Sequence, residues 1–254
     1  MALLRVHFLP ELVDPSLLAG SRCVVVDVLR ATTTIVEALA AGASAVVPCV
    51  TIEDARSRSG QFTAHQALLG GERGGRLIEG FDLGNSPGEY TAARVAGKTV
   101  VLTTTNGTKA LLHSSAATEI VIGALVNLSA VCTRLRSAQL DGNESIDIVC
   151  AGTDGHVTRE DVFFSGAVAD RLAGTGIQLD DSAEIARDAW RNVSGGATGG
   201  ELQRRLVGEL SASRGGRNLI EIGMAGDIQL AACVDQFAIV PVFDPSTGKI
   251  TIGE

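Results

Sequence analysis

An apolar run, Cys23-Val24-Val25-Val26, ends in Asp27 and is followed closely by Arg30 and by the hydroxyls of Thr32, Thr33 and Thr34. A carboxylate at the end of a buried strand is costly unless it is paired, hydrogen-bonded or bound to a cation. Two chemistries answer that cost. In one, Asp27 caps the next helix or pairs with Arg30. In the other it is a magnesium ligand beside a phosphate, because magnesium takes hard oxygen donors and usually one or two protein carboxylates. Arg30 would then grip the phosphate oxygens bidentately. Ile35 to Ala41 has helical composition and stops at Gly42, so Arg30 to Thr34 forms the strand-to-helix turn, whose free N–H groups favour an anion.

Further polar turns follow. Gly70-Gly71-Glu72-Arg73-Gly74-Gly75 brackets an acid and a base with glycines, which reads either as an exposed hairpin with a surface ion pair or as backbone able to approach a ligand closely. Asn85-Ser86-Pro87-Gly88-Glu89 reads as a helix start with Ser86 as cap. Thr103-Thr104-Thr105-Asn106-Gly107-Thr108-Lys109 resembles a phosphate-cradling turn without the glycine spacing of a Walker A loop, and a Thr or Asn helix cap explains it equally well. Cys150 ends a strand before Ala151-Gly152-Thr153-Asp154-Gly155 and is either a buried small hydrophobe or a covalent nucleophile. Glu160, Asp161 and Asp227 read as acids in first turns of helices.

Spacing removes several alternatives. Cys23 and Arg30 are separated by six residues where a phosphotyrosine-phosphatase loop needs five, and Cys23 begins its strand. Position 29 is leucine, which breaks an Asp-x-Asp phosphoryl acceptor. The four histidines have no metal spacing, and there is no Gly-x-Ser-x-Gly elbow.

The elements that must position these residues alternate. Strands are expected at Leu3–Leu9, Cys23–Val28, Ala45–Val50, Thr99–Thr104, Glu119–Ile122, Ile146–Cys150, Phe237–Phe243 and Ile250–Ile252. Helices are expected at Thr33–Ala41, Glu89–Val95, Lys109–Ser114, Asn127–Ala138, Arg159–Ala173, Ser182–Trp190, Gly200–Leu210 and Asp227–Val234. That alternation predicts an α/β three-layer sandwich, a mainly parallel mixed sheet covered by helices on both faces. Asp244 to Lys249 is turn chemistry for an antiparallel hairpin, expected at an edge. Ligands in such sheets bind outside the carboxyl ends of strands, so the turns after Asp27, Thr103 and Cys150 are expected to share one site. The 254 residues favour one α/β unit over 1–254, with two lobes sharing a sheet as the alternative.

Composition narrows the function classes. A formal charge of −8 and a pI near 5.1 argue against nucleic-acid or membrane-surface partners. Five cysteines, odd in number and widely spaced, fit reduced thiols. No apolar run reaches membrane-spanning length, so a cytoplasmic protein is expected.

Taken together, Asp27-Val28-Leu29-Arg30-Ala31-Thr32-Thr33-Thr34, Gly71-Glu72-Arg73-Gly74-Gly75, Glu79-Gly80-Phe81-Asp82-Leu83-Gly84-Asn85-Ser86-Pro87, Thr103-Thr104-Thr105-Asn106-Gly107-Thr108 and Cys150-Ala151-Gly152-Thr153 resemble, in order and spacing, the 2-phosphosulfolactate phosphatase family. The resemblance extends through Gly226-Asp227-Ile228 to Val240-Pro241-Val242. It implies a magnesium-dependent phosphatase that converts 2-phospho-3-sulfolactate to 3-sulfolactate and phosphate, a step toward coenzyme M, assembled as a homodimer. Asp27 and Glu72 are then the metal or base candidates and Arg30 the phosphoryl ligand, with Cys150 the alternative nucleophile. Thr32, Thr33 and Asn106 add hydrogen bonds beside Gly107 and Thr108, and Arg73, Arg76 and Lys109 supply cations for a multiply anionic substrate. Two other readings remain: a phosphatase for another phosphorylated 2-hydroxy acid, and a non-catalytic module binding a small organic anion.

Overall fold

The computed structural model describes residues 2–63, 65–137 and 145–253. Its strands are β1 (Leu3–His7), β2 (Arg22–Val26), β3 (Ala45–Cys49), β4 (Ala67–Arg73), β5 (Arg76–Leu77), β6 (Thr99–Thr103), β7 (Glu119–Gly123), β8 (Ser145–Cys150), β9 (Gln178–Leu179), β10 (Pro241–Asp244) and β11 (Lys249–Ile252). The helices are α1 (Ala31–Ala40), α2 (Ile52–Ser59), α3 (Ala92–Val95), α4 (Gly107–His113), α5 (Leu128–Ser137), α6 (Arg159–Leu172), α7 (Asp181–Ser194), α8 (Gly199–Ala212), α9 (Arg214–Glu221) and α10 (Ala225–Ala231). They build a mixed, mostly parallel sheet in the order β5-β4-β6-β3-β11-β10-β7-β2-β8-β1-β9.

Strand β2 shows why the architecture has three layers. Val24 and Val26 join Val121, Ile146 and Ile148 under Phe163, Phe164 and Val168 on one face. Cys23 and Val25 join Ile120, Ile122 and Val149 under Ile35, Leu39 and Leu111 on the other. Successive side chains point to opposite faces, so an unbroken apolar strand requires a helical cover on each. On the first cover, α6 and α7 approach so closely that a Cβ on Gly166 would stand 1.9 Å from the Ala186 carbonyl oxygen.

The hairpin β10–β11 lies in the middle of the sheet and not at the expected edge. It pairs antiparallel with β7 on one side and with β3 on the other, so the parallel block β4-β6-β3 and the parallel block β7-β2-β8-β1 run in opposite directions. A flat sheet would place their carboxyl ends on opposite sides. With about 20–25° of twist per strand, the five steps from β2 to β6 accumulate roughly 100–125°, which turns the two sets of carboxyl ends toward one another. The ends do meet: a Cβ on Gly107, after β6, would stand 2.8 Å from Asp27 Oδ2, after β2.

The eight expected strands and eight expected helical regions are present with shifted ends, although Glu89–Val95 resolves into a 3-10 turn at Pro87–Glu89 followed by α3. The expected end of α5 at Ala138 lies outside the described residues. Strands β4, β5 and β9 and helices α2 and α9 were not expected. Among the described residues no helix is long and apolar enough to cross a membrane.

Candidate functional site

The convergent strand ends enclose a cavity of about 280 Å³. Three expected turns reach it, through Asp27 and Arg30 after β2, Thr104, Thr105 and Asn106 after β6, and Thr153 and Asp154 after β8. Glu72, Gly74 and Gly75 of the β4–β5 hairpin close one side together with Asn85. Gly215, Asn218, Leu219 and Ile222 form a further wall, which meets the hairpin where Ile222 packs against Gly75. Their three- and four-residue spacing is one face of a helix, and they belong to or immediately follow α9.

Asp27 is 6% exposed, and the ion pair of Arg30 is with Asp227 instead. Arg30 Nη1 donates to Asp227 Oδ2 at 2.7 Å, and its Nη2 donates to the Gly75 carbonyl at 2.7 Å. The second bond crosses from one parallel block to the other. Burial, then the Glu72 charge, pushes the Asp27 carboxyl up to about 7. Asp227 also accepts from Ser86 Oγ, so Ser86 points to this ion pair and does not cap the helical turn it precedes.

Glu72 is 7% exposed and ties two turns together. Its Oε2 accepts from Gly75 N at 2.7 Å, and its Oε1 accepts from Thr105 N at 2.8 Å and Thr105 Oγ1 at 2.9 Å. The glycine-bracketed segment is therefore a hairpin and a cavity wall at once. The expected ion pair with Arg73 does not form, because adjacent strand residues project to opposite faces. Arg73 donates to the Glu72 carbonyl, the Val50 carbonyl and Thr103 Oγ1.

The other expected ligands divide. Asn106 lines the cavity, and its Oδ1 accepts from Asp154 N at 3.4 Å. Gly107 is buried against Asp27 and Ala31, where any side chain would collide with both. Thr32 Oγ1 donates to the Asp27 carbonyl and Thr33 Oγ1 to the Val28 carbonyl, while Thr108 Oγ1 lies 3.1 Å from Thr104 Oγ1. The Thr32, Thr33 and Thr108 hydroxyls hold the turns, and these three residues do not line the cavity. Arg76 and Lys109 are exposed outside it. The expected cluster of cations is thus reduced to Arg30 among the described residues, against the acids Asp27, Glu72, Asp154 and Glu221.

Cys150 is also absent from the cavity. It packs in the core beneath α6 with its sulfur 3.3 Å from Ser165 Oγ. Burial, reinforced by the Asp161 charge, pushes its thiol well up, whereas a nucleophile needs the thiolate. Neither the place nor the protonation of Cys150 suits a covalent nucleophile.

Asn85 and the α9 wall escaped the sequence reading as site residues. Asn85 Oδ1 is buried without a hydrogen-bond partner among the described residues, and its segment had a sufficient explanation as a helix start. Glu160 and Asp161 are in the first turn of α6 as expected, but Asp161 Oδ1 accepts from Val28 N at 2.9 Å and its Oδ2 from Gly152 N at 3.0 Å.

The family model described as 2-phosphosulpholactate phosphatase matches residues 7–245. A probable 2-phosphosulfolactate phosphatase of Symbiobacterium thermophilum is 40% identical over 93% of this chain and 96% of its own length. A protein of the same description from Deinococcus radiodurans is 42% identical over 95% of this chain and 93% of its own. One from Thermotoga maritima is 39% identical over 86% and 87%.

Proposed function

This chain belongs to the 2-phosphosulpholactate phosphatase family, and from that premise we propose that it is a magnesium-dependent phosphatase acting on the phosphomonoester of a small 2-hydroxy acid. The substrate proposed first is 2-phospho-3-sulfolactate, whose hydrolysis would yield phosphate and 3-sulfolactate for a step toward coenzyme M. The observation that carries the reading is the charge of the cavity. Asp27, Glu72, Asp154 and Glu221 line it with Arg30 as the one basic residue among the described residues, a balance that favours a phosphate dianion accompanied by a divalent cation.

The donors fit that cation. Asp27, Glu72 and the unpartnered Asn85 Oδ1 offer oxygen alone, the preference of magnesium. Among the described residues no group of three or more His, Cys, Asp or Glu is arranged to hold a metal. Magnesium characteristically draws one or two carboxylates and leaves its other positions to water and phosphate. When bound it would offset phosphate charge and polarise the phosphoryl group.

The remaining chemistry falls to the chain. Arg30 uses two of its five N–H donors on Asp227 and Gly75, which leaves a held guanidinium able to orient phosphoryl oxygens. Asn106 has its oxygen engaged by Asp154 N, so its amide N–H groups can donate to the ligand. Asp27, whose carboxyl stands near 7 in the metal-free cavity, would accept a proton from an in-line water where Glu72 and Asn85 hold the cation, or would itself join them as a ligand with its carboxyl lowered by that charge. Leu29, Leu219 and Ile222 add apolar surface to the lining.

Phosphate release from 2-phosphosulfolactate and from 2-phospholactate, with magnesium and with chelator, tests the proposal. Release with magnesium and its loss with chelator are expected. No release from either ester would leave only the anion-binding module.

A further inference from the structure

The last backbone bond between β2 and β8 on the cavity side runs from Ala151 N to the Val26 carbonyl at 2.8 Å. Beyond it the two chains leave the sheet as the turns carrying Asp27 and Thr153. The Asp27 N–H turns to Thr32 Oγ1, and the N–H groups of Val28 and Gly152 meet the carboxylate of Asp161 instead of a strand. Asp161 is 2% exposed. Its side chain acts as one more rung after the ladder has stopped, accepting from both turns at once.

A carboxyl group buried beside other acids and held by two backbone N–H groups is a poor choice for stability alone, because its charged form is costly away from water. Burial and the nearby Asp27 and Glu160 charges all disfavour the ionised form. An uncharged acceptor could satisfy one N–H at lower cost. What a rigid two-oxygen acceptor adds is a fixed separation between Val28 and Gly152, each adjacent in sequence to a cavity residue. Its base is fixed too: Ser165 Oγ donates to the Asp161 carbonyl at 2.8 Å, within a helix packed in the core.

We propose that Asp161 is a positioning residue: its carboxylate sets where Asp27 and Thr153 stand, and so sets the affinity of the cavity for magnesium, without touching metal or substrate. The proposal rests on the phosphatase reading for the identity of the cation. Magnesium binding measured by calorimetry on the wild type, Asp161→Asn and Asp161→Ala tests it. Asp161→Asn keeps the shape and one acceptor but turns an NH2 group toward the second N–H. Its magnesium Kd should rise about tenfold, that of Asp161→Ala further, and kcat should fall more than KM rises. A purely structural role would lower Tm and the folded fraction while leaving Kd and kcat per folded molecule unchanged, and that result overturns the proposal.

Hydrogen exchange on the wild type supplies an arm that needs no variant. The Val28 and Gly152 amides should be protected to the level of the β2–β8 ladder, and fast exchange at both would refute the tie. Failures of the two readings can be told apart. Magnesium binding without ester hydrolysis removes the phosphatase activity and leaves the Asp161 test intact, whereas hydrolysis with an unshifted Kd in Asp161→Asn removes only the positioning role. A wild type that binds no magnesium removes both.

Discussion

Asp27 destabilises the fold that presents it. Its folded-state carboxyl is raised to about 7 by burial and by Glu72, so between its unfolded value near 3.8 and that point the native state holds the extra proton. Stability from this group is therefore present at low pH and lost as pH rises through 7. Asp27→Asn removes the penalty: at pH 8 with chelator its Tm should exceed that of the wild type, and at pH 5 the difference should shrink. The same substitution should lower kcat about 10²- to 10⁴-fold, the range for losing a proton acceptor. Cys150→Ser, buried outside the cavity, should keep kcat within about threefold. The placement of Asp27, Arg30, Glu72 and Asn106 at the cavity was legible in the sequence, because Asp27 and Arg30 follow an apolar run, Glu72 interrupts glycines and Asn106 ends a run of threonines. Arg73, Arg76 and Lys109 were misread because adjacency in sequence does not fix which face of a strand or helix a side chain takes. The roles of Asp161 and Asp227 depend on partners 133 and 197 residues away, Val28 and Arg30, and no local pattern encodes those.

At the scale of elements, continuous β-branched runs located most strands, whereas β4 was hidden by Gly70 and Gly71 and α9 by Gly215 and Gly216. Glycine is a poor helix former, yet α9 needs it. A Cβ on Gly216 would stand 1.8 Å from the Leu210 carbonyl oxygen, and one on Gly215 2.3 Å from Glu160 Oε1. Close approach, which sequence does not display, outweighs propensity there. The hairpin β10–β11 was found with the wrong neighbours, since turn chemistry fixes the hairpin and not its place in the sheet. That place makes its apolar residues structural. Ile250 is fully buried between the two blocks, paired with Val46 and Phe243. Ile250→Ala should cost about 2–5 kcal/mol in urea unfolding, and a loss below about 1 kcal/mol would contradict the central position of β11.

Across the whole molecule, charge is distributed with a purpose beyond the net −8. Asp147 lies inside the β1–β8 pair, where burial alone would raise its carboxyl. Hydrogen bonds from His7 and Arg5 outweigh that and hold it at about 2. Its folded value lies below its unfolded one, so its contribution is present above pH 4 and is lost as pH falls toward 2. Asp147→Asn should therefore lower Tm at pH 7, and the gap to the wild type should close through that acid window. Asp27 and Asp147 thus oppose one another: one acid is kept costly for the cavity, the other is compensated for the fold.

The central hairpin also has a consequence in time. As the chain emerges from the ribosome, β3 and β7 are made long before residues 241–252 arrive to join them. Until then each block carries an open edge facing the other, the kind of surface that templates wrong pairing. Slower synthesis or loss of chaperones over that interval should therefore lower the yield of native protein.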